Sequence, residues 1–567
     1  MLYPDSWYDP NVESLLVHAR RNECLKKEAL HFKSVSLNAR QLCDLEMLLN
    51  RAYYPLDGYM CRTDYDSVLK ACRLSDGSLW PLPICLGVDA ETASGVSLGE
   101  RVAIRDAEGF MLAVLTVEDV WKADLEAERI ALWGDRPRTG GIDVSGIEGD
   151  RLWYLGGKLE GLSYPQHYDF VDMRLSPPDM QRLFSREKWG KVIGVQAGRP
   201  LHRADRAMLE EIASAHDARL LLSPLMIPSV YFSVDHFCLV RCLRAFAGLM
   251  PEHAVKLNLI PWFQRRMGRR GSLLRAIVNR NYGCSHMLLW DSGKMQSQNL
   301  QHSESFHAHM EWMAEMARLS GITPLREKCM TLDEASGKHT CSAKGCLCVN
   351  DHLAIVECLR AGEAVPDNLS YPEVLKELGR VHKPLSKQGF SLFFTGLSGA
   401  GKSTLAKILY VKLLELNGRP VTLLDGDIVR TNLSSELNFS KEHRELNVTR
   451  IGFVASEIVK NGGIAICAPI APYPKSREEV RKMIEQYGGF IEIHVNTPLS
   501  VCEQRDCKGI YAKARAGIIK GMTGVDDPYA EPENPELRIN TSEMTPDEAA
   551  REVMFFLATK NYIRGNA

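Results

Sequence analysis

Gly396-Leu397-Ser398-Gly399-Ala400-Gly401-Lys402-Ser403 is a complete G-x-x-x-x-G-K-[ST] loop, and both of its flanks suit it. The preceding residues 391–395, Ser-Leu-Phe-Phe-Thr, form a short apolar run that reads as a buried strand. Thr404 then opens a stretch to Asn417 with apolar residues at Leu405, Ile408 and Leu409, a helical stripe closed by Gly418. Strand, glycine loop and helix bring backbone N–H groups around a polyphosphate at the helix N-terminus. In that geometry Lys402 reaches the β/γ-phosphates and the Ser403 hydroxyl ligates Mg²⁺. A glycine-rich turn without a ligand is the competing reading, and the flanking elements weigh against it. The chain is expected to bind a nucleoside triphosphate, with Mg²⁺, through Gly396 to Thr404.

Length and composition set the frame around this loop. A chain of 567 residues exceeds one ordinary domain, and 45% hydrophobic with 25% charged residues describes a globular protein. The formal net charge of -2 advertises neither nucleic acid nor an anionic membrane as partner. The start has no basic segment followed by an apolar core, and no apolar run approaches membrane-spanning length. The 16 cysteines are scattered, which points to buried or free thiols in a reducing cytoplasm. Cys341, Cys346 and Cys348, with Cys329 and His339 nearby, have a C-x₄-C-x-C spacing that matches no standard zinc pattern, so loop thiols are the expectation.

Along the chain, residues 1 to about 165 carry short strand-like runs such as 101–105 and 111–117, split by the turn Asp106-Ala107-Glu108-Gly109. That reads as a β-rich domain. From 166 to about 320, strand and helix patterns alternate, as in Lys191 to Val195 before a helix near His202, giving an α/β sheet. A small subdomain is expected from about 321 to 378, then a polar, basic linker at 379–389. Residues 390–567 read as one α/β kinase domain with a parallel sheet.

Inside that last domain, the strand-like run Val421 to Leu424 ends in Asp425-Gly426-Asp427. Carboxylates at a strand's C-terminal end lie on the ligand edge of a doubly wound sheet, where they orient Mg²⁺ or accept a proton. Asp425 is a candidate for Mg²⁺ through a water. Arg430, Arg444, Asn447 and Arg450 follow, interrupted by Phe439; cationic forks suit phosphate or sulfate, and an aromatic face stacks on a purine. Taken alone, these are more often solvated helix residues.

The run Leu424-Asp425-Gly426-Asp427, then Val429-Arg430, Asn438-Phe439-Ser440 and Arg444 to Arg450, resembles adenylyl-sulfate kinase. So do Arg505 to Tyr511, Lys513-Ala514-Arg515, Thr523-Gly524-Val525 and Pro528-Tyr529; the likeness covers most of the last 180 residues or so. That family transfers the γ-phosphoryl group of ATP to the 3′-hydroxyl of adenosine 5′-phosphosulfate (APS), giving PAPS. The resemblance implies that Asp427 is the general base and, with Arg430, contacts the APS ribose and phosphosulfate. It implies that Phe439 stacks on the APS adenine, that Arg444 and Asn447 hold the nucleotide, and that Lys508 reaches its sulfate end. Ile470, Gly521 and Met522 join the APS site, Arg505 the ATP site, and Arg505 to Gly524 forms a lid. Ile428, Thr449 and Met522 depart from the commonest family residues. Where the family carries Ser-Pro-[Tyr/His]-Arg, this chain has Ala471-Pro472-Tyr473-Pro474. No phosphoserine can form at Ala471, so transfer is expected to be direct and in line.

The first 375 residues or so resemble ATP sulfurylase, which makes APS from ATP and sulfate. The likeness rests on Pro55 to Met60, Tyr154-Leu155-Gly156-Gly157, Gln196 to Ala204 and Asn281 to His286. It implies a PUA-like domain followed by a nucleotidylyltransferase-like α/β domain. The chemistry departs from the family. Its Gln-Thr-Arg-Asn-Pro-x-His-x-x-His motif stands here as Gln196-Ala197-Gly198-Arg199-Pro200-Leu201-His202-Arg203-Ala204-Asp205. An anion at Asp205 near a phosphate would cost on the order of 4 kcal/mol at about 4 Å and an effective dielectric of about 20. Gly-Arg-Asp-His-Ala-Gly is missing after His286, replaced by Met287 to Lys294. An APS kinase on an inactive sulfurylase scaffold is therefore the leading expectation, with a working bifunctional PAPS synthase as the alternative. ATP and APS are the expected partners, no nucleic acid or membrane is, and a homo-oligomer, hexamer or dimer, follows from the family. The N-terminal region is left as either a nucleotide sensor or an assembly scaffold.

Overall fold

The computed structural model describes residues 13–133, 152–225, 236–261, 268–289, 304–327, 330–333, 338–341, 348–416, 418–438, 440–506 and 508–564. These fall into two units by internal contact. The first runs to Ile355 and adds Val365–Val381; the second takes Val356–Ala364 and continues from His382.

In the first unit, five strands follow the order Ser34–Ser36, Arg101–Arg105, Met111–Lys122, Trp153–Gly161, Gly58–Tyr59, and Leu86–Val88 pairs beside the last on Trp153–Gly161. Only the Ser34–Ser36 pairing is parallel. The long strand runs past the expected 111–117 to Lys122, with a register shift between Val117 and Asp119. A second sheet is all parallel, in the order Thr323–Arg326, His286–Leu289, Lys191–Ala197, Ala218–Pro224, Val255–Leu257. Parallel neighbours need crossovers, and helix Arg203–His216 supplies the one after Lys191–Ala197. One apolar cluster runs through both sheets, joining Leu48, Trp80 and Leu115 to Ile277, Tyr282 and Met287. Asn281 donates through Nδ2 to the carbonyls of Ala52 at 2.9 Å and Tyr54 at 3.0 Å. That part of the sulfurylase-like signature therefore clasps two segments of the fold.

Two expected boundaries shift. Thr323–Arg326, inside the stretch expected as a small subdomain, belongs to the parallel sheet, and a hairpin of Met330–Asp333 with Lys338–Cys341 follows it. Two helices follow, Cys348–Ala361 and Pro372–Val381. The second takes in the first three residues of the expected linker. Gly379 lies in this helix where no atom approaches its missing side chain. A glycine there costs about 1 kcal/mol, which burial of Val374 and Leu378 outweighs. Of the cysteine cluster, Cys329 and Cys346 lie outside the described residues, and only the backbone is described for Cys341, Cys348 and His339.

The second unit is a five-stranded parallel sheet. Its strands are β1 (Phe390–Thr395), β2 (Val421–Asp425), β3 (Ile464–Ala468), β4 (Gly489–Val495) and β5 (Leu537–Ile539), in the order β2-β3-β1-β4-β5. All six residues of β1 are buried. Phe390, Leu392 and Phe394 enter one apolar cluster and Phe393 a second, so both faces are covered. The helices are α1 (Lys402–Glu415), α2 (Gly426–Asn432), α3 (Lys441–Lys460), α4 (Pro474–Glu485), α5 (Leu499–Arg505), α6 (Ile510–Arg515) and α7 (Pro546–Thr559). Helix α1 buries Leu405, Ala406, Leu409 and Leu413, the spacing of one helical face.

Helices α3 and α4 pack where Gly452 faces Val480: a Cβ on Gly452 would lie 2.5 Å from Val480 Cγ2. Val480 is β-branched and stiff in a helix, so it cannot turn aside. Gly452→Ala would gain up to about 1 kcal/mol of helix propensity and lose about 1–3 kcal/mol to overpacking. The expected result is a lower urea midpoint for loss of kinase activity; a raised midpoint would contradict this packing.

Candidate functional site

The loop after β1 leaves the sheet at Gly396, whose φ is +148° and whose missing Cβ would sit 2.5 Å from the Val495 carbonyl oxygen. Any side chain there would strike the end of β4, so only glycine lets the loop turn over the sheet. Lys402 opens α1 and is 7% exposed. Its Nζ donates to the carbonyls of Gly396 and Leu397, each at 2.7 Å. Burial pushes its pKa down to about 8, against the opposing pull of Cys502 and Asp425. The Ser403 hydroxyl donates to Asp425 Oδ1 at 3.1 Å, and the same oxygen accepts the Gly426 N–H at 2.7 Å. Hydroxyl and carboxylate thus converge on one side of the loop. An oxygen pair of this kind fits Mg²⁺, which completes its shell with water and phosphate oxygens. Thr404 is exposed on the first turn.

Arg505, at the end of α5, donates to Thr541 Oγ1 at 2.7 Å, to the Thr541 carbonyl at 2.8 Å and to the Gly399 carbonyl at 3.4 Å. It closes the rim of the loop on the side of β4 and β5. Tyr511 in α6 reaches the same rim, its hydroxyl donating to the Ser398 carbonyl at 2.8 Å. The turn before α6 carries Lys508, exposed, whose charge is felt at Lys402 and lowers it.

Across the loop, the acceptor side is built on α2 and α3. Asp427 is the second residue of α2; its side chain, and the whole of Phe439, lie outside what the structure describes. Arg430 donates to the Leu437 carbonyl at 3.2 Å. Arg444 and Asn447 are three apart on α3 and share a face. Asn447 is 7% exposed, and its Oδ1 has no hydrogen-bond partner among the described residues. A buried amide oxygen left open costs free energy. Arg444 donates to Asp527 Oδ2 at 2.7 Å, to Thr523 Oγ1 at 2.8 Å and to the Gly521 carbonyl. Gly521 and Met522 thus lie on the segment tied to Arg444, and Met522 is buried. The Ile470 carbonyl accepts from Thr395 Oγ1 at 2.8 Å and from the Gly396 N–H at 3.3 Å.

Next to Ile470, Ala471 is buried with φ at +44°, a strained conformation for a residue bearing a Cβ. Its carbonyl accepts from Arg477 at 2.8 Å, and Arg477 in turn meets Glu492 at 3.0 Å, both nearly fully buried. Sequence reasoning missed Thr395, Arg477, Thr541, Tyr511 and Asp527. Thr395 and Thr541 follow from position alone, at or just beyond the C-terminal ends of β1 and β5; the others become visible only with the fold.

The counterpart residues in the first unit are arranged differently. Arg199 grips Asp205 through two bonds of 2.7 Å, with side chains 8% and 0% exposed. Asp205 also accepts the His202 N–H at 2.8 Å, capping the helix Arg203–His216. His202 is 1% exposed and stacks on His352, Nε2 lying 3.0 Å from its Nδ1, while its own Nδ1 meets Ser370 Oγ at 2.9 Å. Burial, then the charge of Arg199, holds His202 well below the usual histidine range, so it is neutral near pH 7. Arg203 stacks over the Tyr371 ring, 4.3 Å from its centroid.

A parallel sheet with a phosphate-type loop on its central strand, and a helix running from that loop, defines the P-loop kinase class. Residues 388–540 match the family model of adenylylsulphate kinase, residues 171–381 that of ATP-sulfurylase, and residues 8–164 that of a PUA-like domain. A sulfate adenylyltransferase of Aspergillus oryzae is 36% identical over 560 residues, covering 96% of each chain. One from Aspergillus terreus is 37% identical over 561 residues, again 96% of each. A solved structure, a hexameric APS kinase from Thiobacillus denitrificans, is similar with a TM-score of 0.77 and 39% identity over 97% of each chain. The chain belongs to the sulfate adenylyltransferase family and carries an adenylylsulphate kinase domain over residues 388–540. Among the described residues, no helix is long and apolar enough to cross a membrane.

The depressed Lys402 gives a pH signature. Between the folded value of about 8 and the ordinary 10.5, Lys402 is neutral in the free protein. Phosphate beside it favours the ammonium, so ATP binding near about pH 9 takes up close to one proton, and near about pH 7 takes up almost none there. Calorimetry in buffers of different ionisation enthalpy reads that uptake. Equal proton numbers at the two pH values would count against Lys402 as the phosphate ligand.

Proposed function

We propose that this chain transfers the γ-phosphoryl group of ATP to the 3′-hydroxyl of APS, and that its sulfurylase-like unit no longer makes APS. The observation that carries the reading is a contrast. The kinase-unit loop keeps Lys402 and the Ser403–Asp425 pair together at its mouth, while Arg199 and Asp205 in the first unit are spent on each other. A guanidinium closed bidentately on a buried carboxylate is not free to grip a triphosphate.

In the kinase reaction the chain's work is positioning and electrostatics, because phosphoryl transfer asks for little covalent help. Lys402 exchanges its two carbonyl partners for the β/γ-phosphates. Arg505 and Gly396 to Thr404 hold the ATP side. Ser403 and Asp425, the latter through a water, would hold Mg²⁺, which supplies neutralisation of charge on the transferring phosphoryl group. Asp427, at the start of α2, accepts the proton of the 3′-hydroxyl. Arg430, Arg444 and Asn447 hold the APS nucleotide, with Phe439 stacked on its adenine, Lys508 toward its sulfate, and Ile470, Gly521 and Met522 lining it. Residues 505–524 act as the lid that keeps water out. Ala471 carries no hydroxyl, so the phosphoryl group passes directly between substrates. A cytoplasmic homo-oligomer is the form we expect; the Thiobacillus denitrificans kinase is a hexamer.

Both half-reactions can be measured on one preparation. We expect PAPS from ATP and APS, and no sulfate-dependent pyrophosphate release from ATP with pyrophosphatase present. Lys402→Ala should lower kcat for PAPS formation by about 100- to 1,000-fold, the scale for removing one donor aimed at developing charge. Sulfate-dependent pyrophosphate release would establish the bifunctional alternative. A rapid-quench time course should contain no phosphoenzyme; a kinetically competent one would refute direct transfer.

A further inference from the structure

The segment Gly521 to Tyr529 forms a strap, held by Met522 in the apolar core, by the Tyr529 hydroxyl paired with Thr395 Oγ1 at 2.9 Å, and by a polar node at Arg444. Arg444 reaches from α3 to Asp527, Thr523 and the Gly521 carbonyl, so these three contacts converge on one guanidinium. Asp527 takes a second donor, the Tyr473 hydroxyl, at 2.9 Å. The turn that presents it is closed on itself: the Gly524 N–H meets the Asp527 carbonyl at 2.7 Å, and the neighbouring Asp526 accepts the N–H groups of Gly521 and Met522. On its far side the strap walls a cleft of about 580 Å³ with Leu397, His494 and Leu499. Met522 and Val525 pack on the apolar core, and the polar tethers add to that anchoring.

The donor arithmetic of Arg444 matters. A guanidinium has five N–H groups in a fixed plane. Asp527 and Thr523 occupy the two on Nη1 and the Gly521 carbonyl one on Nη2, leaving Nε and one Nη2 hydrogen unassigned among the described residues. Nη1 is thus engaged on Asp527 and Thr523, while Nε and one Nη2 hydrogen remain for an oxygen acceptor. A free arginine side chain samples many rotamers, and ordering it on binding weakens affinity. An arginine already fixed by a carboxylate avoids that loss.

We propose that Asp527 is a positioning residue for APS binding, holding Arg444 so that its open edge meets the anionic part of the acceptor nucleotide. Tyr473 keeps the Asp527 carboxylate aimed. Asp527 touches no reacting atom and acts through Arg444. This inference rests on the reading above that Arg444 holds APS.

Steady-state kinetics with varied APS at saturating ATP, on the full chain, tests it. Asp527→Ala should raise KM for APS about 10-fold, the equivalent of about 1.4 kcal/mol. The kcat should stay within about 2-fold and KM for ATP be unchanged, the pattern for lost uniform binding. Asp527→Asn keeps an oxygen for Arg444 and Tyr473 and should recover most of the loss. Tyr473→Phe should give a smaller rise, and remains informative if Asp527→Ala does not fold. In an Arg444→Ala background, Asp527→Ala should add nothing. An unchanged or lowered KM for APS in Asp527→Ala, with Arg444→Ala still raising it, would overturn the positioning role alone; a lowered value would mean that Asp527 competes with APS for Arg444. If Arg444→Ala leaves KM for APS unchanged, the proposal falls together with the reading of Arg444 as an APS ligand.

Discussion

Strand β1 is hydrogen-bonded on both edges and buried on both faces, and the kinase unit hangs on that fact. A loop that must point several N–H groups at one polyphosphate cannot satisfy them within itself, so its ends have to be fixed from outside. Pairing with β3 on one side and β4 on the other holds the entry end, and the buried face of α1 holds the exit. The close approach of Gly396 to Val495 then dictates the path between them. From this one constraint the rest follows: β2 delivers Asp425 beside Ser403, and the segment after β3 presents Ile470 to the loop. The partners of Arg505 arrive from beyond β5.

The two units differ in how they treat charge. Around the kinase loop, polar groups are held near each other but left with capacity to spare: Lys402 rests on carbonyls, Asn447 keeps an open oxygen, and Arg444 keeps an open edge. In the first unit the same kinds of groups are closed into pairs. Arg199 meets Asp205, His202 meets His352 and Ser370, and Arg203 covers Tyr371. Groups left with spare capacity can meet a ligand, while groups closed on each other have that capacity quenched. Such a contrast is read from partners and burial rather than from residue type.

Much of this was legible in the sequence. The loop, its strand and its helix carry both the periodicity and the spacing that specify them, and Ser403 with Asp425 followed from a carboxylate at a strand end. The parallel sheet around Lys191 to Val195 was visible from alternating patterns. Other features depend on contacts distant in sequence, which no local pattern encodes. The tie from Arg444 to Asp527 spans 83 positions, and the meeting of His202 with His352 spans 150. The start of the stretch 379–389 is polar and basic and reads as linker, but it closes a helix held by the buried Val374 and Leu378. At Arg199 and Asp205 the residue types were readable but not the geometry: the carboxylate expected to repel a phosphate is gripped bidentately by the guanidinium.

That closed pair also bears on history. Restoring histidine at position 205 would strand the Arg199 guanidinium in a site that excludes water, and breaking a buried pair by losing one partner costs about 3–5 kcal/mol. Changing Arg199 first would strand Asp205 instead. Either of these two changes alone would therefore lower stability, and most domains have only about 5–15 kcal/mol to lose. The pair works as a ratchet: each of its two residues is held in place by what the other would lose.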